Sequence, residues 1–161
     1  MEINIIEFES GWEKDVCSLI SGIQRNEFGL NISIDAQPDL LNIPDFYKKG
    51  SGNFWLAVHE KQLAGTIALL DIGNKQGAIR KMFVHQLYRG KEKGTAGLLL
   101  AALEQSSLKA GVNELFLGTT AKFHAAHRFY EKNGFENIQI ENLPPTFPVM
   151  NVDTIFYRKK L

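Results

Sequence analysis

The sequence is short of cysteine, of charge of one sign and of long apolar runs, and each shortage excludes a class of protein. Cys17 is the only cysteine, so no intrachain disulfide and no metal site built on several thiolates can form. It lies among Val16, Leu19 and Ile20 on a helix-like stretch, where a thiol reads as small apolar filler rather than a nucleophile. Lys plus Arg and Asp plus Glu number 18 each, for a formal net charge of zero. A protein whose whole surface grips nucleic acid or anionic membrane carries a marked basic excess, and none is present. No apolar run approaches the ~20 residues of a membrane-spanning helix. The opening Met1-Glu2-Ile3-Asn4 is acidic rather than the basic start of a signal peptide. A cytoplasmic protein is expected, with no nucleic acid and no membrane among its partners.

What is present suits one soluble domain over residues 1–161, with 44% hydrophobic and 22% charged residues. Ile3, Ile5, Ile6 and Phe8 suggest an opening strand. Ser10 is a plausible N-cap for a helix over Trp12–Arg25, where Trp12, Val16, Leu19, Ile20 and Ile23 recur at helical spacing. A shorter helix follows Gln37, with Leu40, Leu41, Phe46 and Tyr47 on its apolar side and Pro44 limiting its regularity. Strands over Asn53–Glu60 and Gln62–Asp71 form a hairpin, and Ala78–His85 adds a third strand. A long helix spans roughly Gly94–Ala110, closed by Gly111. Then come a strand at Leu115–Leu117, a helix at Ala125–Lys132, a strand at Phe135–Ile140 and a last strand around Val152–Arg158. The order predicts a mixed α/β fold.

One stretch carries a chemical signal. Lys81-Met82-Phe83-Val84-His85 runs as a strand into a loop, Arg89-Gly90-Lys91-Glu92-Lys93-Gly94, and Thr95 opens a helix. A helix N-terminus has unpaired N–H groups and about half a positive charge, so it attracts phosphate. Gly90 and Gly94 let backbone amides approach an anion without a Cβ in the way. Arg89, Lys91 and Lys93 add cationic charge, and the combination suits a pyrophosphate. Taken alone it also suits a solvated turn. A Walker loop fits less well, since Thr95 rather than Lys follows Gly94. The three spaced glycines of a dinucleotide fingerprint are absent.

Met82-Phe83-Val84 followed by Arg89–Gly94 resembles the acyl-CoA-binding motif of the GNAT acetyltransferases, Arg/Gln-x-x-Gly-x-Gly/Ala after an apolar strand end. Downstream, Ala126 and Phe129-Tyr130-Glu131-Lys132-Asn133-Gly134-Phe135 resemble a second signature of that family, in the right order. The resemblance covers about residues 53–140. It implies a mostly antiparallel sheet of about six to seven strands flanked by about four helices. It further implies an N-acetyltransferase using acetyl-CoA as cosubstrate, without a metal, and an amine acceptor as the other partner; a non-catalytic acyl-CoA-binding sensor of the same fold and a transferase for a larger acyl group are the alternatives. Free backbone groups of Met82, Phe83 and Val84 would bind the pantetheine arm, one N–H polarising the thioester carbonyl. Arg89, Gly90, Lys91, Glu92, Lys93, Gly94 and Thr95 would surround the pyrophosphate. Two departures stand out. Glu92 replaces the usual glycine, and Phe123, seven residues before Tyr130, replaces a common pantetheine-contacting asparagine. Homodimers are common in the family, and the sequence leaves that assembly open.

For amine attack on a thioester, an alkylammonium of pKa about 10 must lose a proton, and a thiolate of pKa about 8.5 departs. Tyr130 aligns with the tyrosine many such enzymes use as general acid. Glu27, Asp71, His85 and Glu114 are available as bases, as is a water chain, with ordinary turn or strand-end roles the plainer reading of the last three. His124 and His127 share a helical face but lack a third ligand. The resemblance places acceptor recognition at Asn26–Ala36 and Leu143–Asn151. There Glu27 could meet an ammonium, and Phe28, Phe147 and Met150 could line an apolar slot or close the core.

Overall fold

A computed structural model describes residues 2–161, so Met1 of the acidic opening lies outside the described residues. Strands β1 (Asn4–Glu7), β2 (Asn53–His59), β3 (Gln62–Asp71), β4 (Gln76–Val84), β5 (Glu114–Thr119), β6 (Glu136–Ile138) and β7 (Ile155–Lys160) form one sheet in the order β1-β2-β3-β4-β5-β7-β6. Every neighbouring pair is antiparallel except β4–β5, which is parallel. Helices α1 (Glu13–Asn26), α2 (Ile43–Tyr47), α3 (Thr95–Lys109) and α4 (His124–Lys132) complete the mixed α/β fold. No helix among the described residues is long and apolar enough to cross a membrane.

The sheet has a core on each face. On one, Leu99, Leu100 and Leu103 of α3 and Tyr130 of α4 pack with Ile67, Ile79, Leu115, Leu117 and Tyr157. On the other, Val16 and Ile20 of α1 and Ile43 and Tyr47 of α2 pack with Phe54, Leu56 and Ala68. A smaller cluster of Ile72, Ala78, Phe116, Phe147 and Phe156 continues that second side beneath β5 and β7.

Local chemistry corrects two sequence expectations and decides a third. Ser10 does not cap α1: Trp12 holds the N-cap position without a side-chain bond, and the Glu13 carboxylate reaches back to accept the Gly11 N–H at 2.9 Å. That bond holds the Glu13 carboxyl below its usual range. The helix after Gln37 breaks into a 3-10 turn at Pro38–Leu40 and the five residues of α2, so its faces rotate. Leu40 and Tyr47 are buried as expected, whereas Leu41 and Phe46 are exposed, and Ile43 takes the inner position. Phe147 belongs to the core cluster with Phe156, so the core reading of that residue holds and the slot reading does not.

Candidate active site

The parallel pairing of β4 and β5 lasts only from Gln76–Glu114 to Ala78–Phe116. Beyond it the strands part. β4 continues for six residues, Ile79–Val84, bonded only to β3, while β5 continues to Thr119 bonded only to β7. The backbone groups of Ile79–Val84 that face β5 therefore have no strand partner. Unpaired amides on a strand are a liability unless something covers them, and here they form a groove within the sheet.

A bulge shapes the same strand. Thr66 opposes Phe83 and Ala68 opposes Arg80, so β4 has one residue more than β3 over this interval. The extra residue falls at Lys81, whose φ of 53° is left-handed, and the Thr66 hydroxyl donates to the Lys81 carbonyl at 2.7 Å. The bulge turns Lys81 toward α1 and α2, where its side chain is only 8% exposed. There Nζ donates to Gln37 Oε1 at 2.7 Å and lies 3.5 Å from Asp39 Oδ2. Tyr47 donates to the same Asp39 oxygen at 2.6 Å, and Gln24 and Gln37 exchange side-chain bonds. Burial pulls the Lys81 ammonium below its ordinary pKa, and Asp39 opposes that shift.

Downstream, Gly90 (φ 107°) and Gly94 (φ 64°) turn the chain, and Lys93 and Gly94 both donate their N–H to Gly90 O at 3.1 Å. α3 begins at Thr95, and its first closing bond is Leu98 N–H to Gly94 O. The amides of Thr95, Ala96 and Gly97 are the unpartnered first donors of a 15-residue helix. The Thr95 hydroxyl donates inward to Tyr88 O at 2.8 Å, fastening the helix start to the preceding turn. Glu92 is exposed, as is Lys91. Lys93 donates to the Leu87 carbonyl. Arg89 is bound on its inner side: Nε donates to Val84 O at 2.8 Å, and Nη1 lies 2.6 Å from Glu27 Oε1.

Two cations beside this loop escaped the sequence reading. Lys132, at the end of α4, has its ammonium held below the ordinary pKa by the Lys91 amine beside it, with Arg128 adding charge of the same sign. A motif centred on glycines gave no signal for α4 residues that only the fold brings to the loop.

Tyr130 is 5% exposed and packs against Phe129, Phe135 and Tyr157. Burial alone raises its phenol above the ordinary pKa, with no hydrogen bond or charge contributing. Tyr157 beside it is committed elsewhere, donating to Glu131 at 2.7 Å. Phe28, following α1, stacks on Phe123, preceding α4, with ring centroids 3.6 Å apart. The stack, with the Glu27–Arg89 pair, links the α1 loop to both open strand ends.

Of the remaining base candidates, Asp71 is a turn clamp, accepting the Gly73 and Ser51 amides at 2.8 and 3.0 Å, which hold its carboxyl below the usual range. Glu114 sits where β4 and β5 are still paired, and it accepts from Gln76 and pairs with Arg158 at 2.6 Å. His85 Nδ1 accepts the Leu87 amide at 3.1 Å. His127 Nε2 lies 2.7 Å from Thr120 O. The carboxylate at the parted strands that sequence reasoning missed is Asp153. Burial raises its pKa, the Met150 amide opposing, and its Oδ2 accepts that amide at 3.0 Å. It lies against Gly118 of β5 so closely that a Cβ there would be 2.6 Å from Oδ2 and 2.7 Å from Cγ. Gly118→Ala is expected to cost about 1–3 kcal/mol in thermal unfolding, the usual penalty for overpacking. An unchanged midpoint would mean Asp153 moves aside freely. Two surface hollows, of about 510 and 320 Å³, are lined by other residues than those of the parted ends.

Residues 21–135 match the family model described as the acetyltransferase (GNAT) family. A GNAT-family acetyltransferase from Staphylococcus aureus Mu50 is 36% identical, with a TM-score of 0.94 over 99% of each chain. An acetyltransferase from Streptococcus agalactiae is 28% identical, also at 0.94, covering 99% of this chain and 98% of that one. The N-acetylaspartate synthetase of Xenopus tropicalis is 34% identical over 106 residues, 63% of this chain, and this chain spans 38% of that protein's length.

Proposed function

The chain belongs to the GNAT acetyltransferase family, and from that premise we propose that it transfers the acetyl group of acetyl-CoA to the primary amine of a small acceptor. The observation that carries this reading is the parting of β4 from β5, which leaves the amides of Met82–Val84 that face β5 without a strand partner, beside a helix start with three unpartnered amides. The two features are chemically distinct. Free strand amides suit an amide-bearing arm and a carbonyl that gains negative charge, and the helix start suits a diphosphate. Lys91, Lys132 and Arg128 crowd like charge at the loop, and a bound polyanion would relieve that repulsion.

In the proposed reaction the neutral amine nitrogen forms a bond to the thioester carbon and the carbon–sulfur bond breaks. The amine's surplus proton passes to a base or to water. Tyr130 gives its phenolic proton to the departing sulfur and recovers one from solvent. The curated relatives named N-acetylaspartate synthetase support a small amine, an amino acid among them, as acceptor.

Calorimetric titration with acetyl-CoA tests the cofactor half. Gly94 has a left-handed φ, so an aspartate there strains the turn and sets a carboxylate against the diphosphate site. Saturable one-to-one binding is expected, weakened at least 10-fold by Gly94→Asp in protein whose circular dichroism is unchanged. Equal binding by the variant would remove the loop from the site. Absence of binding by the folded parent chain would remove the acetyl-transfer reading.

A further inference from the structure

Arg80 is a cation set into the fold without an anion. Of the five arginines, Arg89 and Arg158 close ion pairs with Glu27 and Glu114, and Arg25 and Arg128 are exposed to solvent. Arg80 is half-buried, and no carboxylate among the described residues closes on it. Its guanidinium carbon stands 5.7 Å over the Phe46 ring, and Nη2 lies 3.7 Å from Met150 Sδ. A ring face and a thioether fix the plane of the guanidinium while leaving its N–H donors almost unspent.

Asp153 feels the positive charge of Arg80, yet the two form no ion pair. Asp153 spends Oδ2 on the Met150 amide and rests on Gly118. Lys81, the next residue, has its charge met by Gln37 and Asp39. Arg80 keeps an open fork, on the face of β4 that meets α2 and the loop before β7. Along the strand it is two residues, about 7 Å, from Met82, the first residue of the stretch expected to meet the thioester arm.

We propose that the acceptor is an amine that also carries a carboxylate, an amino acid or a close relative, and that Arg80 binds that carboxylate. The inference rests on the acetyl-transfer reading. A guanidinium takes a carboxylate bidentately, so the pairing would orient the acceptor as well as bind it. Phe46 and Met150, both partly exposed, would wall the bound molecule. Anchored there, the acceptor would present its amine toward the free amides of Met82–Val84.

The test is thiol release from acetyl-CoA by the full chain, with L-aspartate, L-glutamate, glycine and β-alanine each compared with its fully amidated form. The parent chain is expected to favour the free acids at least 10-fold in kcat/KM. Arg80→Met should raise the acceptor KM about 10- to 100-fold, the range of a charged hydrogen-bonded contact, and erase the preference for free acids. Arg80→Lys should fall between. Calorimetry should find acetyl-CoA affinity within about twofold in all three proteins, which a merely structural role of Arg80 would not ensure. Equal turnover of acids and amides by the parent, or a preference that survives Arg80→Met, overturns this inference while acetyl transfer stands. A parent chain that binds no acetyl-CoA overturns both.

Discussion

Tyr130→Phe is expected to lower kcat roughly 100-fold, at the low end of what a positioned acid contributes, and to leave acetyl-CoA affinity within about twofold. The setting makes the substitution unusually clean. The ring is buried against Phe129, Phe135 and Tyr157, contacts that phenylalanine keeps. The hydroxyl makes no hydrogen bond within the fold, and only burial acts on its ionisation. Removing it therefore deprives no buried partner, and the thermal midpoint should hold. A fall in kcat without a fall in stability is then chemical in origin. Burial favours the neutral phenol, so Tyr130 stays a proton donor well above neutrality, and its own ionisation should draw no alkaline limb in the pH profile of kcat below pH 10. Its raised pKa also makes it a weaker acid than free phenol, so the transfer to a thiolate of pKa about 8.5 must be concerted with carbon–sulfur cleavage. Steady-state kinetics on a confirmed acceptor decide the matter. An unchanged kcat in Tyr130→Phe would reduce the residue to an aromatic anchor of α4.

Much of this molecule was legible because its strands and helices obey local rules. The β2–β3 hairpin, the β4–loop–α3 unit and α4 lie within a few residues of where periodicity and glycines set them. Periodicity fails where side chains rather than apolar spacing set the local structure. Glu13 replaces Ser10 at the start of α1, and Pro44 helps confine α2 to five residues, which exposes Phe46. The candidate site divides the same way. Gly90, Gly94 and Thr95 were readable because the turn proposed to bind the diphosphate is continuous in sequence. The site's other parts come from distant segments. Asp153 meets Gly118 across 35 positions, and Lys132 meets Lys91 across 41. Glu27 and Phe28 were expected at an acceptor, and the fold places them on Arg89 and Phe123, whose partners the sequence could not name.

Lys81→Met should be the most damaging single change to stability, costing about 3–5 kcal/mol, or a midpoint loss of roughly 6–20 °C. The side chains of Lys81 and Asp39 are 8% and 5% exposed. Removing the ammonium leaves the Asp39 carboxylate in a dry setting with only the Tyr47 hydroxyl for compensation. Burial of the pair gives weak evidence that it stabilises, since desolvation offsets much of the attraction. The same desolvation pulls the Lys81 ammonium below its ordinary pKa. Breaking the pair on one side is a different matter, because the orphaned charge retains its full penalty. The double variant Lys81→Met with Asp39→Asn separates the two cases. The asparagine amide oxygen can still accept the hydrogen bond that Tyr47 donates, and no buried charge remains, so most of the lost stability should return. Thermal unfolding of the parent, both single variants and the double variant measures the coupling. Additive losses would show that the pair contributes nothing as a pair. The functional consequence lies in the bulge, which Thr66 also grips through the Lys81 carbonyl. If that grip suffices, the restored double variant should bind acetyl-CoA like the parent, and the buried ion pair is a device of stability. If binding stays weak after stability returns, the ammonium itself sets the register in which Met82–Val84 present their free amides.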